Sequence, residues 1–197
     1  MDRHFIDSVF ATPPAVLGRK LKPFCCGHAV ILGALESAYM GGGDITPAEL
    51  IVAVWVCSRS YGEGMEKLKG GKEAWEAECQ EWGKSVMLFD FVKEHRLFND
   101  YLETHIRAPE RWKKRGGSSA TKAPWPLSVA TSLMTQLFFT EERAWNMPLQ
   151  EALWYFAAFS DANGDKSLIS EQERERLAAA KAAREKAKAE KAKGGEA

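Results

Sequence analysis

The stretch MPLQEALWYFAAFS (147–160), DANGDKSLISEQE (161–173), RERLAAAKAAREKAKAEKAK (174–193) decides the class of this chain. It reads as an aromatic helix, a turn rich in Asp, Asn and Gly, and a charged helix. Trp154, Tyr155 and Phe156 end a packed body. From residue 171 onward eight bases face six acids, and Leu177 is the only large apolar residue. A helix of that composition has no wide apolar face to bury and is expected to stand in solvent. Elsewhere no run of five residues alternates apolar and polar between turn signals, which is the mark of a strand. The expected fold is all-α: an irregular helical bundle with an exposed charged C-terminal helix.

The central turn nearly spells a calcium loop. Such a loop takes oxygen ligands at positions 1, 3 and 5, Gly at 6, an apolar residue at 8 and a bidentate Glu at 12. Counting from Asp161, Asn163 and Asp165 fit positions 3 and 5, and Leu168 fits position 8. Lys166 stands where Gly permits the sharp turn, and neutral Gln172 stands at position 12. Inserting one residue makes Glu173 the terminal ligand but leaves the Gly missing. The metal candidates are therefore Asp161, Asn163, Asp165 and Glu173. The competing reading assigns Asp, Asn and Gly to a turn and Ser170 with Glu173 to a capping box on the last helix. That reading accounts for every residue without a metal, and it is the one expected.

Upstream, helices follow one another. Pro23 suits a first helical position, and Phe24, His28, Ile31, Leu35 and Tyr39 recur at helical spacing until Gly41-Gly42-Gly43. Thr46-Pro47-Ala48-Glu49 reads as a capping box with Pro in the first turn. The following ELIVAVWVCSRSY is apolar nearly all round, as in the buried centre of a bundle. Tyr61-Gly62-Glu63-Gly64 reads as its close. Residues 65–106 are rich in helix signals, weakened at Gly70-Gly71 and Gly83. Residues 107–123 carry Arg107, Arg111, Lys113, Lys114, Arg115 and Lys122 against Glu110 alone, around Gly116-Gly117-Ser118-Ser119. They read as a basic linker loop. The organisation expected is an N-terminal arm (1–22), a first helical group (23–106), this linker, a second helical group (124–169) and the exposed helix with its tail (170–197).

Composition restricts the function classes. The 197 residues hold 45% apolar residues and seven Trp, enough for a sizeable core, and Lys+Arg balance Asp+Glu at 27 each. No global charge selects nucleic acid or membrane, and the longest apolar run, residues 50–57, is far short of the roughly 20 residues a span needs. MDRHFIDSVFATPPAV lacks the apolar core of a secretory leader. Cys25, Cys26, Cys57 and Cys79 show no disulfide framework, so a cytoplasmic chain with reduced thiols is expected. Cys25-Cys26-Gly27-His28 holds soft ligands, but no second pair stands at zinc spacing, and adjacent cysteines on a helix diverge. His28 lies on the apolar stripe and reads as a hydrogen-bonded core histidine. No nucleophile motif, phosphate loop or marked carboxylate pair occurs. Neither catalytic residues nor cofactors are expected. RWKKRGGSSATK places a Trp among cations, yet one short basic patch is a weak nucleic-acid footprint.

LKPFCCGHAVILGALESAY with ITPAELIVAVWVCSRSYGEG, and PWPLSVATSLMTQLFF with AWNMPLQEALWYFAAFSDANG, resemble small proteins of phage and prophage structural operons associated with tail assembly chaperones. The resemblance spans residues 20–61 and 124–173. It implies a non-enzymatic protein that binds a tape-measure-type client during assembly and is absent from the finished particle. It carries no catalytic residues. Trp125, Met134, Phe138, Phe139, Trp145, Met147 and Trp154 are the side chains that could hold an amphipathic client helix, although most of them read as core. The alternatives are an EF-hand-like calcium protein and a structural tail or connector component. A protein client is expected rather than nucleic acid or membrane, in the cytoplasm of a bacterial host. Oligomeric state is left open.

Overall fold

The longest apolar run of the chain lies at its centre. The computed structural model describes residues 5–6, 10–86, 88–112 and 123–194. Among them the chain forms a small antiparallel hairpin, β1 (Ala15–Val16) and β2 (Arg19–Lys20), and then helices α1 (Cys26–Ala34), α2 (Ala38–Gly41), α3 (Pro47–Cys57), α4 (Tyr61–Lys69) and α5 (Lys72–Ser85). The second half adds α6 (Phe91–Ile106), α7 (Trp125–Gln136), α8 (Glu141–Asn146), α9 (Leu149–Ala162) and α10 (Glu171–Gly194). The protein is an all-α bundle of mostly short helices. None is long and apolar enough to cross a membrane.

Helix α3 is the axis. Leu50 and residues 53–57 are buried on all sides, by α1, α5 and α6. Thr46 starts it by accepting the Glu49 N–H at 3.2 Å. The Glu49 carboxylate does not return to Thr46. It accepts from the Ser37 hydroxyl at 3.1 Å and the Ala38 N–H at 3.2 Å. A side chain that looked like half of a capping box thus ties the start of α2 to α3.

Three local readings are corrected by the structure. The single helix expected from Pro23 to Gly41 is two, because Glu36 adopts φ +54°. Its N–H reaches Gly33 O at 3.1 Å and the Ser37 N–H reaches Leu32 O at 2.9 Å, the pair of bonds that ends a helix on a left-handed residue. Tyr61 opens a helix rather than closing one: Ser60 and Glu63 cap α4 reciprocally, at 3.3 and 2.6 Å. Gly83 does not interrupt α5. It lies against α3, where a Cβ would stand 3.2 Å from Ile51 Cδ1.

Part of the expected N-terminal arm is core. Val16, Leu17 and Leu21 are buried, Leu17 and Gly18 turn the hairpin with positive φ, and the Leu17 N–H donates to Glu94 Oε2 of α6 at 2.7 Å. Positive φ at both turn residues matches the right-handed twist of the strands. Arg19 is not simply solvated, because its guanidinium lies 3.9 Å above the Trp82 ring. Phe5 meets Trp154 edge-on at 5.6 Å. The two halves of the chain join where the Leu149 N–H donates to Phe24 O at 2.7 Å, beside a bridge between Cys25 and Pro148.

Candidate functional site

The four residues of the calcium-loop pattern lie between α9 and α10, and the chain itself engages each of them. Asp161 Oδ1 is 3.6 Å from Lys166 Nζ. Asn163 Nδ2 donates to Phe159 O at 2.8 Å. Asp165 Oδ1 accepts the Ser167 N–H at 3.2 Å, and its Oδ2 lies 4.0 Å from Arg111 Nη1. Glu173 accepts from the Ser170 N–H at 2.8 Å and hydroxyl at 2.7 Å, while its own N–H donates to Ser170 Oγ at 3.3 Å. Those hydrogen bonds hold the Glu173 carboxyl below its ordinary range. The glycine with positive φ is Gly164, two residues before the position a calcium loop requires.

Arg111 comes from the segment read as a basic linker. Its backbone bridges Leu168, the Trp112 N–H donates to Ser167 O at 2.7 Å, and the Ile169 N–H donates to Glu110 O at 3.0 Å. The start of that segment therefore closes the acidic turn. Residues 113–122, the rest of the linker, lie outside the described residues. Among the described residues no group of three His, Cys, Asp or Glu is arranged to hold a metal ion. Two cations of the chain stand at the carboxylates that calcium would need. Calorimetric titration with calcium should accordingly give no saturable heat below about 1 mM, outside the range of sensor loops. Micromolar saturation would reverse this assignment.

The Cys25-Cys26-Gly27-His28 segment forms the entry to α1. Both cysteines and His28 are buried. His28 Nε2 lies 2.7 Å from the Arg59 carbonyl, which can only accept, so Nε2 carries the proton. Nδ1 is then free to accept the Cys25 N–H, at 3.3 Å. Both ring nitrogens are used, and neither is available to take a proton from a thiol or water. Burial pushes the thiols up, Cys25 to about 11 and Cys26 and Cys79 to about 12. Burial likewise raises Cys57. Thiolate chemistry at neutral pH is therefore disfavoured at all four positions.

A cleft of about 790 Å³ opens above His28, between Lys22, Arg59 and Tyr61 on one side and Glu141, Arg143 and Trp145 on the other. It follows the seam between the two halves of the chain. Tyr61 stacks on Trp145 at 5.1 Å and the Tyr61 N–H donates to Asn146 Oδ1 at 2.9 Å. Its cations already have partners. Lys22 lies 3.5 Å from Glu63. Arg59 donates to Trp55 O at 2.7 Å and pairs with Glu78. Arg143 sits 4.2 Å over the Phe139 ring. This geometry clamps two helical groups together.

Exposed apolar side chains also lie on the second helical group. Helix α7 stops at Gln136, and Phe138 takes φ +56°, a region that costs a residue with a Cβ about 1–2 kcal/mol. The turn is held by the Phe139 N–H on Leu133 O at 3.2 Å. It throws Phe138 outward, 87% exposed. Phe139 turns back and meets Tyr155 edge-on at 5.6 Å. On α9, Tyr155, Ala158, Phe159 and Ala162 recur one turn apart on the exposed side, with Tyr155 and Phe159 at 37% and 36% exposure.

Of the seven aromatic and methionine side chains, most of which read as core, Trp145, Met147 and Trp154 are core. Met134 and Phe139 are half-buried. Only Trp125 and Phe138 are surface residues, and Tyr155 and Phe159 replace the others. Helical spacing from the buried Trp154 could have shown that Tyr155 and Phe159 face elsewhere. No sequence signal marks Phe138. No protein-family model, curated protein or solved structure matches the chain.

Proposed function

We propose that this chain is a non-enzymatic binding protein that masks apolar helical segments of a client, as a tail assembly chaperone does for a tape-measure-type protein. The observation that carries the reading is Phe138: an aromatic side chain held in solvent at a strained backbone position, next in sequence to Phe139, which meets Tyr155. Strain retained at an exposed position points toward function rather than folding. The resemblance of residues 20–61 and 124–173 to phage tail-operon proteins supports the choice of client. The unreactive thiols and the saturated His28 ring favour binding over catalysis. Such a chaperone acts in the host cytoplasm and leaves before the particle is complete.

Co-expression with a tape-measure-type protein should yield a soluble complex. Phe138→Gly should separate binding from folding. It relieves the positive φ and should raise stability by about 1 kcal/mol, while client affinity falls about tenfold or more through loss of a central aromatic anchor. Failure to co-purify, or a Phe138→Gly protein that binds as well as the parent, would sink the proposal. Mass spectrometry of purified particles separates a chaperone, which is missing, from a structural component, which is present.

A further inference from the structure

We infer that residues 107–112 and 165–174 form a strap: one unit, latched over α9, that opens while the rest of the bundle stays folded. The strap is a conformational device and does not depend on the client proposed above. Its two pieces lie far apart in sequence and are held as an antiparallel pair. Arg111 bridges Leu168, with the Trp112 N–H on Ser167 O at 2.7 Å and the Ile169 N–H on Glu110 O at 3.0 Å. Arg111 Nη1 adds an ion pair to Asp165 Oδ2 at 4.0 Å, and Arg174 Nη1 donates to Ile169 O at 3.2 Å.

Little burial holds these pieces down. In residues 107–112 Pro109 is half-buried and the others are exposed. In residues 165–174 only Ser167 and Ile169 are buried. Helix α10 is exposed from Glu175 to Lys186, so the rod adds nothing to the latch there. A segment with few buried contacts and hydrogen bonds near solvent lies at the low-stability end of a protein and opens by itself.

Underneath, the closed strap fits α9 imperfectly. Arg107, Pro109 and Arg174 meet Gln150 and Trp154 of α9 around a cavity of about 10 Å³, room for about one water and no larger ligand. Gln150 is 6% exposed, and its Oε1 is buried with no hydrogen-bond partner among the described residues. A buried acceptor left unpaired disfavours the closed form, and opening returns it to water. The same opening uncovers Trp154, which is buried when the strap is closed.

Amide exchange followed by NMR on the full chain tests this. The N–H groups of Trp112 and Ile169 should exchange in step with each other, and at least about 100-fold faster than those of Val54 to Cys57 in α3. Gln150→Met removes the unpaired acceptor at similar side-chain length and should slow both strap amides about tenfold. Arg111→Cys with Leu168→Cys supplies a lock. The two residues face each other between the flanking hydrogen bonds, where Cα atoms lie about 4.5 Å apart, within disulfide reach. Oxidation should slow the strap amides at least about tenfold, and reduction should restore their speed.

Strap amides that exchange at the α3 rate in the parent overturn the inference, because the strap then opens only with the whole fold. Rates for Trp112 and Ile169 that differ by more than about tenfold also overturn it, since the two pieces then move separately. So does a Gln150→Met protein whose strap exchanges as fast as the parent's, and so does a cysteine pair that fails to oxidise or stays fast once oxidised. None of these outcomes bears on client binding, which stands or falls on co-purification and on Phe138→Gly.

Discussion

Replacing Gly27 with alanine should lower stability by about 3 kcal/mol, near the upper end of what forced overpacking costs. A Cβ at Gly27 would stand 2.5 Å from Tyr61 Cβ and 2.6–2.7 Å from its ring carbons. Tyr61 has nowhere to retreat. Its ring is stacked on Trp145 and its N–H is held by Asn146. The crossing is tight in both directions, since a Cβ at Gly64 of α4 would lie 2.7 Å from Ile31 Cδ1 of α1. For a chain of this length the loss corresponds to about 6–12 °C in Tm. Gly33 supplies the control. It lies in the same helix with nothing within 4 Å of its missing Cβ, so Gly33→Ala should stabilise by about 0.5–1 kcal/mol. Thermal melts of the two variants should move in opposite directions. A Gly27→Ala protein that melts with or above the parent would mean that α1 and α4 do not cross this closely.

The second large effect is an acid-side loss of stability centred on His28. Burial holds its ring at about 4, below the ordinary 6.5, with the bond to the Arg59 carbonyl offsetting part of the cost. Protonation would also place a hydrogen on Nδ1, against the Cys25 N–H that Nδ1 accepts. Between pH 6.5 and about 4 the unfolded chain binds a proton that the folded chain refuses. Stability therefore falls as pH drops through that window, by about 3 kcal/mol when complete. His105, also lowered by burial, acts in the same direction. Glu63, lowered to about 2 by its bonds to Ser60, gives up its capping contribution further down, from the ordinary carboxylate range toward pH 2. Urea denaturation at pH 7 and pH 4.5 should show the loss in the parent and a visibly smaller loss in His28→Gln. An identical pH dependence in the two proteins would assign it to other groups.

Much of the local structure was legible because it depends on neighbours in sequence. The box of Ser170 and Glu173 forms as read, and the apolar run 50–57 is buried apart from the half-buried Ile51 and Val52. Ser60 and Glu63 carry the same signature that identified Ser170 and Glu173, while the two glycines of Tyr61-Gly62-Glu63-Gly64 read as a close. The break at Glu36 had no signature, since glycine is the usual residue there and a charged side chain gives no warning. Leu17 was hidden for the same reason: a large apolar residue held at positive φ runs against local preference, and only burial in the core offsets that cost. The proposed binding surface was half legible. The aromatic composition of residues 124–162 was plain, but which rings face solvent depends on how α7, α8 and α9 pack.

Composition and short-range pattern were enough to establish an all-α chain, a buried α3 and a solvated final helix, because helix formation, capping and apolar burial are set over a few turns. They also showed that Lys166 and Gln172 spoil a calcium loop. Long-range placement was needed for the rest. It brought Arg111, some fifty residues away in sequence, to Asp165, and drew a supposed arm into the core through Val16 and Leu21. It also left Phe138 in solvent. Each of these is a contact between distant segments, set by the shape of the space left once the helices have packed. The stretch 147–193 shows the division within itself. Its helices and cap follow from their own residues, while the surface on α9 and the partners of its turn come from elsewhere in the fold.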